Sequence, residues 1–256
     1  GRLHLGNYFG ALNNWVDLQE KYECFFFVAD FHALTTAYES PKEIRNDVEE
    51  MALDFLAAGI DPKRCTLFIQ SLVPTHAEAH ILFSMITPIP WLERTPSYKE
   101  MMEQLKDRDL RTYGFLGYPL LQCVDIMLYH PKYVPVGVDQ VAHIEFTREI
   151  VRRFNHLYSV NLPQPEPLLT ASPKVPGIDG RKMSKSYGNT IEIGATKEAA
   201  RKSIMAIKTD STPVDAPKEQ STCNVFALLS LFCGEAELKE WEKRYRAGGM
   251  GYGEAK

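Results

Sequence analysis

Cys24-Phe25-Phe26-Phe27-Val28-Ala29-Asp30 is the stretch on which the fold turns. It holds the longest apolar run of the chain, Cys24 to Ala29, which suits a buried strand and ends in the polar loop Asp30-Phe31-His32. A helix is expected next. Ser40-Pro41-Lys42-Glu43 is a capping box with proline at the first helical position. Ile44, Val48, Met51 and Phe55 then recur at helical spacing until Gly59 and Pro62 stop them. Thr66–Gln70 (TLFIQ) reads as a second strand and Tyr133–Val136 (YVPV) as a third, followed by Gly137 and a helix through Phe154. Strands alternating with helices argue an α/β parallel sheet that binds ligands at the carboxyl ends of its strands. Residues 195–208 and 223–246 read as helices on either side of the Pro-rich link Ser211–Lys218, with no strand among them.

Bulk properties narrow the function class. A chain of 256 residues, 45% hydrophobic and 24% charged, can bury a large core as a globular protein. No apolar run approaches the ~18–20 residues that span a bilayer, so no membrane association is expected. Five cysteines, an odd number without a CxxC pair, favour a reducing, cytoplasmic compartment and argue against a structural zinc or iron–sulfur site. Net charge is −4, so any nucleic-acid contact must come from a local patch. There is no initiator methionine and no signal peptide, and upstream residues are expected to be missing.

Four constellations could carry chemistry. Lys182-Met183-Ser184-Lys185-Ser186, just after Gly180 and Arg181, can bring two mobile cations and two hydroxyls to a polyphosphate. His4-Leu5-Gly6-Asn7 opens a helix expected over 7–22, with Phe9, Leu12, Trp15 and Val16 as its apolar face. Gly6 would then offer free N–H groups and the helix dipole to phosphate, unless the tetrapeptide is a cap with an incidental histidine. Gly137-Val138-Asp139-Gln140 can grip a ribose with carboxylate and amide, or Asp139 can simply cap the helix. Tyr118, Gln122 and Asp125 share one helix face. A buried Asp125 must hold a donor, from a ligand N–H or O–H or from the fold itself.

Other features read as ordinary structure. His76 and His80 stand four apart but lack a third zinc ligand and the protease glutamate position. Arg148, Arg152 and Arg153 suit a solvated helix face. Gly248-Gly249-Met250-Gly251-Tyr252-Gly253 mimics a dinucleotide motif, yet no strand is expected before it and no helix after, so it reads as a turn.

His4-Leu5-Gly6-Asn7 with Lys182–Ser186 resembles the paired signatures of class I aminoacyl-tRNA synthetases, with asparagine in place of the second histidine. Gly6–Leu12 (GNYFGAL), Leu92–Thr95 (LERT), Val134–Gln140 (VPVGVDQ) and His143–Glu145 (HIE) are similar to tryptophanyl-tRNA synthetases, in the right order along nearly the whole chain. The resemblance implies a Rossmann-like catalytic domain over 1–189, then part of a helical, anticodon-side domain over 190–256, with the chain truncated at both ends. It implies activation of L-tryptophan by Mg²⁺-ATP and transfer to tRNA(Trp), in a cytoplasmic homodimer without protein metal ligands. Lys182 and Lys185 become the catalytic cations. The ATP set becomes His4, Gly6 and Asn7, then Gly137, Val138, Asp139 and Gln140, then Lys182, Met183, Ser184, Lys185 and Ser186. The tryptophan set becomes Tyr118, Gln122, Asp125, His32, Val134 and Val136.

Gln122 stands where many bacterial members of the family carry methionine. The resulting Tyr-x-x-x-Gln-x-x-Asp pattern is also similar to tyrosyl-tRNA synthetases. An indole N–H and a phenol O–H can both donate to Asp125, so that residue alone does not separate tryptophan from tyrosine. Tyrosine specificity, a nucleotidylyltransferase of the same superfamily and a non-catalytic paralogue remain the alternatives.

Overall fold

In the computed structural model the described residues are 3–96, 98–99, 102, 110–169 and 174–256, apart from the side chains of Asp139 and Ser186. In chain order the main elements are α1 (Asn13–Gln19), β1 (Phe25–Val28), α2 (Asp30–Ala37), α3 (Pro41–Ala57), β2 (Thr66–Ile69), α4 (Thr75–Ser84), α5 (Tyr118–Met127), β3 (Tyr133–Val136), α6 (Val141–Tyr158), β4 (Glu166–Leu169), α7 (Lys197–Met205), α8 (Asn224–Leu229) and α9 (Glu235–Ala247). They fall into two compact units: residues 19–52 and 61–171, and residues 2–18, 53–60 and 172–256.

The first unit holds all the named strands. β1 pairs with β2 in parallel, Phe26 opposite Leu67, and β3 pairs with β4 in parallel, Val134 opposite Pro167. Parallel neighbours need a crossover; α2 and α3 supply it for the first pair and α6 for the second. The three expected strands are present. β4 was not expected: its short Glu-Pro-Leu-Leu run has half-exposed or exposed residues and no alternation. α5 and α6 enclose a core of Leu120, Cys123, Met127, Phe146, Ile150 and Val151. Asp125 is the one charged residue among the buried positions of α5. α6 runs past the expected Phe154 to Tyr158, where Ser159 turns left-handed.

A helical run from Leu5 to Gln19, all but its last residue in the second unit, contains a π-helical stretch, Tyr8–Leu12. Its entry is tied down by three backbone donors: Leu5 N–H to Ile191 O, Ile193 N–H to Leu3 O, and Leu3 N–H to the buried Asp54 carboxylate. The core gathers Met183, Ile191, Ile207, Val225, Leu228 and Tyr245. The helix expected over 223–246 breaks at Ser230–Gly234 into α8 and α9. Gly248 and Gly249 have positive φ, as a turn requires, but a short helix, Tyr252–Ala255, follows them, against expectation. The Pro-rich link folds around the buried Lys218, whose ammonium donates to the carbonyls of Pro213, Val214 and Ala216. The compact units are drawn otherwise than a division at 189: residues 4–7 and 182–186 belong to the same unit.

Candidate active site

The 182–186 loop is built like a clip with its charges outward. Lys182 and Lys185 are exposed, while Met183 between them is buried at 4% exposure in the second unit's core. Met183 N–H donates to Val175 O, and Gly177 N–H to Arg181 O, closing the loop at its base. Arg181 pairs with Asp179 at 2.6 Å and lies 4.4 Å over the Tyr187 ring. Asp179 is held below the usual carboxylate range first by the Asn189 amide and then by Arg181. Lys185–Tyr187 forms one 3-10 turn, ended by Gly188 at positive φ.

This loop meets the N-terminal signature within the same unit. Gly6 N–H donates to Met183 Sδ at 3.3 Å, across 177 residues of sequence. His4 forms an antiparallel bridge with Glu192. His4 is buried at 7% exposure, and its Nδ1 has no hydrogen-bond partner among the described residues. Burial, then the positive charge of Lys185, lowers the His4 pKa against a smaller opposing pull from Glu192. The imidazole is therefore neutral at pH 7.

Two features of this geometry bear on the expected ATP set. The N–H groups at this helix start are already engaged: Leu5 with Ile191 O, Gly6 with Met183 Sδ and Asn7 with His4 O, while Asn7 Oδ1 accepts from His4 N–H. The cap reading thus describes this conformation, and a phosphate would have to displace the sulfur to reach Gly6. The side chain of Met183, a residue expected in the ATP set, packs into the core. Gly6 has a second reason to be glycine, since a Cβ there would lie 2.9 Å from the His4 ring.

In the first unit, Gly137 leads β3 into a 3-10 turn, Val138–Gln140, with Gln140 N–H donating to Gly137 O at 3.0 Å. Val138 is 77% exposed, so its side chain makes no core. The Asp139 side chain lies outside the described residues. Val134 and Val136 share one face of β3 and are half-buried.

Asp125 is the centre of a polar cluster in that unit. Its Oδ2 accepts from His32 Nε2 at 2.6 Å, and its Oδ1 accepts from Gln70 Nε2 at 2.7 Å and His76 Nδ1 at 2.6 Å. His76, fully buried, is bonded through Nε2 to the Tyr129 hydroxyl at 2.8 Å, and because the Asp125 carboxylate can only accept, it is Asp125 that places the ring proton on Nδ1. Burial pushes the Asp125 carboxyl up, but hydrogen bonds from His32, His76 and Gln70 outweigh it and hold the pKa below its ordinary value. Of the two sources of a donor left open by the sequence, the fold itself supplies three to Asp125 in this conformation. A carboxylate offers about four lone-pair sites, which leaves room for one more. The Tyr118 ring stands edge-on to His32 at 5.0 Å, and burial followed by Asp125 raises its pKa, keeping the phenol a donor. Gln122 Oε1 and His32 Nδ1 are buried acceptor or donor atoms without a partner among the described residues.

The structure thus joins His32, Tyr118 and Asp125 in one unit, and His4, Gly6, Met183 and Lys185 in the other. Gln70, His76 and Asn189 were missed. Gln70 was visible as the polar end of TLFIQ, and His76, set aside as a zinc ligand, is a buried partner of Asp125.

The model of the tRNA synthetases class I (W and Y) family matches residues 1–256. The chain belongs to this family. The synthetase is 48% identical over 244 residues to the tryptophan–tRNA ligase of Thermotoga maritima, covering 94% of this chain and 74% of that one. To the tryptophan–tRNA ligase of Aquifex aeolicus it is 42% identical, covering all of this chain and 83% of the other. A crystal structure of the Campylobacter jejuni tryptophanyl-tRNA synthetase, complexed with ADP and tryptophan, superposes with a TM-score of 0.92 at 39% identity, covering 100% of this chain and 79% of that one. The parallel strands and their helices are therefore the Rossmann-like sheet of a class I synthetase.

Proposed function

We propose that the synthetase is a tryptophan–tRNA ligase. A tryptophan carboxylate oxygen attacks the α-phosphorus of ATP, the bond to the bridging oxygen breaks, and pyrophosphate leaves. A terminal ribose hydroxyl of tRNA(Trp) then attacks the acyl carbon and AMP departs. The observation that carries this reading is the hydrogen bond from Gly6 to Met183, with the His4–Glu192 bridge beside it, which holds the two signature segments together. The tryptophan ligase names of the relatives favour tryptophan over tyrosine.

The first step needs in-line placement and charge neutralisation. Orientation of two substrates contributes on the order of 7–11 kcal/mol, and preorganised charge at the leaving group supplies much of the rest. Lys182 and Lys185 take the departing pyrophosphate. Ser184, Ser186 and His4 offer polar contacts to the phosphates, and Gly6 and Asn7 line the nucleotide cleft. Gly137, Val138, Asp139 and Gln140 take ribose and adenine. Mg²⁺ enters as part of the Mg²⁺-ATP substrate; no cluster of three His, Cys, Asp or Glu among the described residues is placed to hold an ion.

Tyr118, Gln122, Asp125 and His32 form the amino-acid side, with Val134 and Val136 as walls. The buried, unpartnered Gln122 oxygen supports a role as acceptor for a substrate N–H. A homodimer is supported by the apolar side chains that α4 and its C-cap leave in solvent, Ile81 56% and Leu82 63% exposed on the helix and Met85 74% just after it. A cytoplasmic location is supported by five free cysteines. No helix among the described residues is long and apolar enough to cross a membrane. Charging of tRNA(Trp) with labelled tryptophan tests the whole reading; charging of a tyrosine tRNA with tyrosine instead would refute it.

A further inference from the structure

We propose that Asn189, outside the Lys182–Ser186 signature, is the positioning residue that sets the turn on which Lys182 and Lys185 are mounted. Asn189 is buried at 1% exposure, and its amide is spent entirely on this loop. Its Oδ1 accepts from Ser184 N–H at 2.8 Å. Its Nδ2 donates to Lys182 O at 3.1 Å and to Asp179 Oδ1 at 2.7 Å. Its backbone carbonyl accepts from Ile178 N–H at 3.0 Å. One side chain thus holds the carbonyl of the first lysine and the amide two residues later, the segment that separates the two ammonium groups. Met183 anchors the inner side of that segment in the core, and Asn189 fixes its curvature.

The surrounding residues fit this job. A Cβ on Gly177 would lie 2.2 Å from Asn189 Nδ2, so glycine leaves the space that the amide occupies. Asp179, which receives one amide hydrogen, is itself held by Arg181. Aspartate at 189 could still accept from Ser184 N–H but could donate to neither Lys182 O nor Asp179, and it would set two carboxylates face to face. No isostere of asparagine satisfies all three partners.

The catalytic consequence rests on the proposed function, in which the two lysines meet the departing pyrophosphate. Displacing such groups by about an ångström costs up to about a hundredfold in rate. The test is ATP–pyrophosphate exchange on the full chain, with tryptophan binding measured separately by equilibrium dialysis. Asn189→Asp is expected to lower kcat by about a hundredfold while leaving tryptophan affinity unchanged. Adding Asp179→Asn, which restores a donor facing the new carboxylate, is expected to recover at least part of the lost kcat. Retention of wild-type kcat in Asn189→Asp would overturn the proposal. So would a parallel loss of tryptophan affinity, or a double variant no better than the single one. The loop contact is also read without catalysis: Asn189→Ala is expected to speed hydrogen exchange at the Ser184 amide, and unchanged exchange would overturn the proposal. A wild-type chain inactive with tryptophan but showing this effect would refute only the functional reading.

Discussion

Replacing Asp125 is expected to be among the most destabilising single changes in the first unit. Asp125→Ala leaves His32 Nε2, Gln70 Nε2 and His76 Nδ1 facing a void at distances where all three now donate to one carboxylate. Each buried donor left without an acceptor costs about 1–3 kcal/mol, so a loss of about 3–5 kcal/mol is expected for the three. At about 2–4 °C per kcal/mol for a chain of this size, the melting temperature should fall by roughly 10 °C. Asp125→Asn should cost less, about 2 kcal/mol, because the amide oxygen can still accept from Gln70 and His76. Its NH₂ would then face His32, forcing that ring to the tautomer protonated at Nδ1, an atom buried without a partner. The pH dependence carries a sign that can be checked. Burial raises the Asp125 pKa, but the hydrogen bonds from His32, His76 and Gln70 bring it below its ordinary value. The stabilisation is therefore complete above about pH 4, the unfolded value, and is lost as pH falls through the folded value. Thermal unfolding followed by circular dichroism, from pH 7 down to pH 3, measures both. An Asp125→Ala melt within about 2 °C of wild type at pH 7, the size of a neutral surface change, would refute the cluster's role, as would a wild-type advantage over Asp125→Asn that grows on acidification.

Three further outcomes follow from the second unit. Lys182→Ala and Lys185→Ala should each lower kcat for pyrophosphate exchange by about 10²–10³, the effect of removing one transition-state charge partner. Both lysines are exposed, so their melting curves should match wild type. Met183→Ala should cost about 2–5 kcal/mol in urea unfolding, whereas Met183→Leu, which keeps the packing but loses the Gly6 N–H acceptor, should cost less than about 1.5 kcal/mol. The His4 pKa is lowered by burial and then by Lys185. The unfolded chain therefore binds the proton first, and stability should decline as pH falls below about 6.5; His4→Gln should remove that decline from denaturation midpoints measured between pH 5 and 8.

What the sequence disclosed follows from how local each signal is. CFFFVAD, TLFIQ and YVPV announce strands because burial demands continuous apolar runs, and Pro41 announces a helix start because its ring can sit only there. Glu166–Leu169 carries no such signal, since its pairing with β3 is decided by position rather than by its own residues. The π-helical Tyr8–Leu12 is equally silent in a pattern of apolar positions. The signature lysines were legible as chemistry, but the burial of Met183 between them was not. The partners of Asp125 lie 55 and 49 residues away at Gln70 and His76, and no periodicity joins them. Asn189 drew no reading at all, because its three contacts exist only once the loop is closed.

Tryptophan-dependent ATP–pyrophosphate exchange, run with each of the twenty amino acids in turn, tests the central claim most directly. Exchange that requires tryptophan, rejects phenylalanine by about 10⁴-fold or more and vanishes in the Lys182→Ala, Lys185→Ala double variant is the predicted result. Exchange that prefers tyrosine, or tryptophan-dependent exchange that survives loss of both lysines, would contradict it.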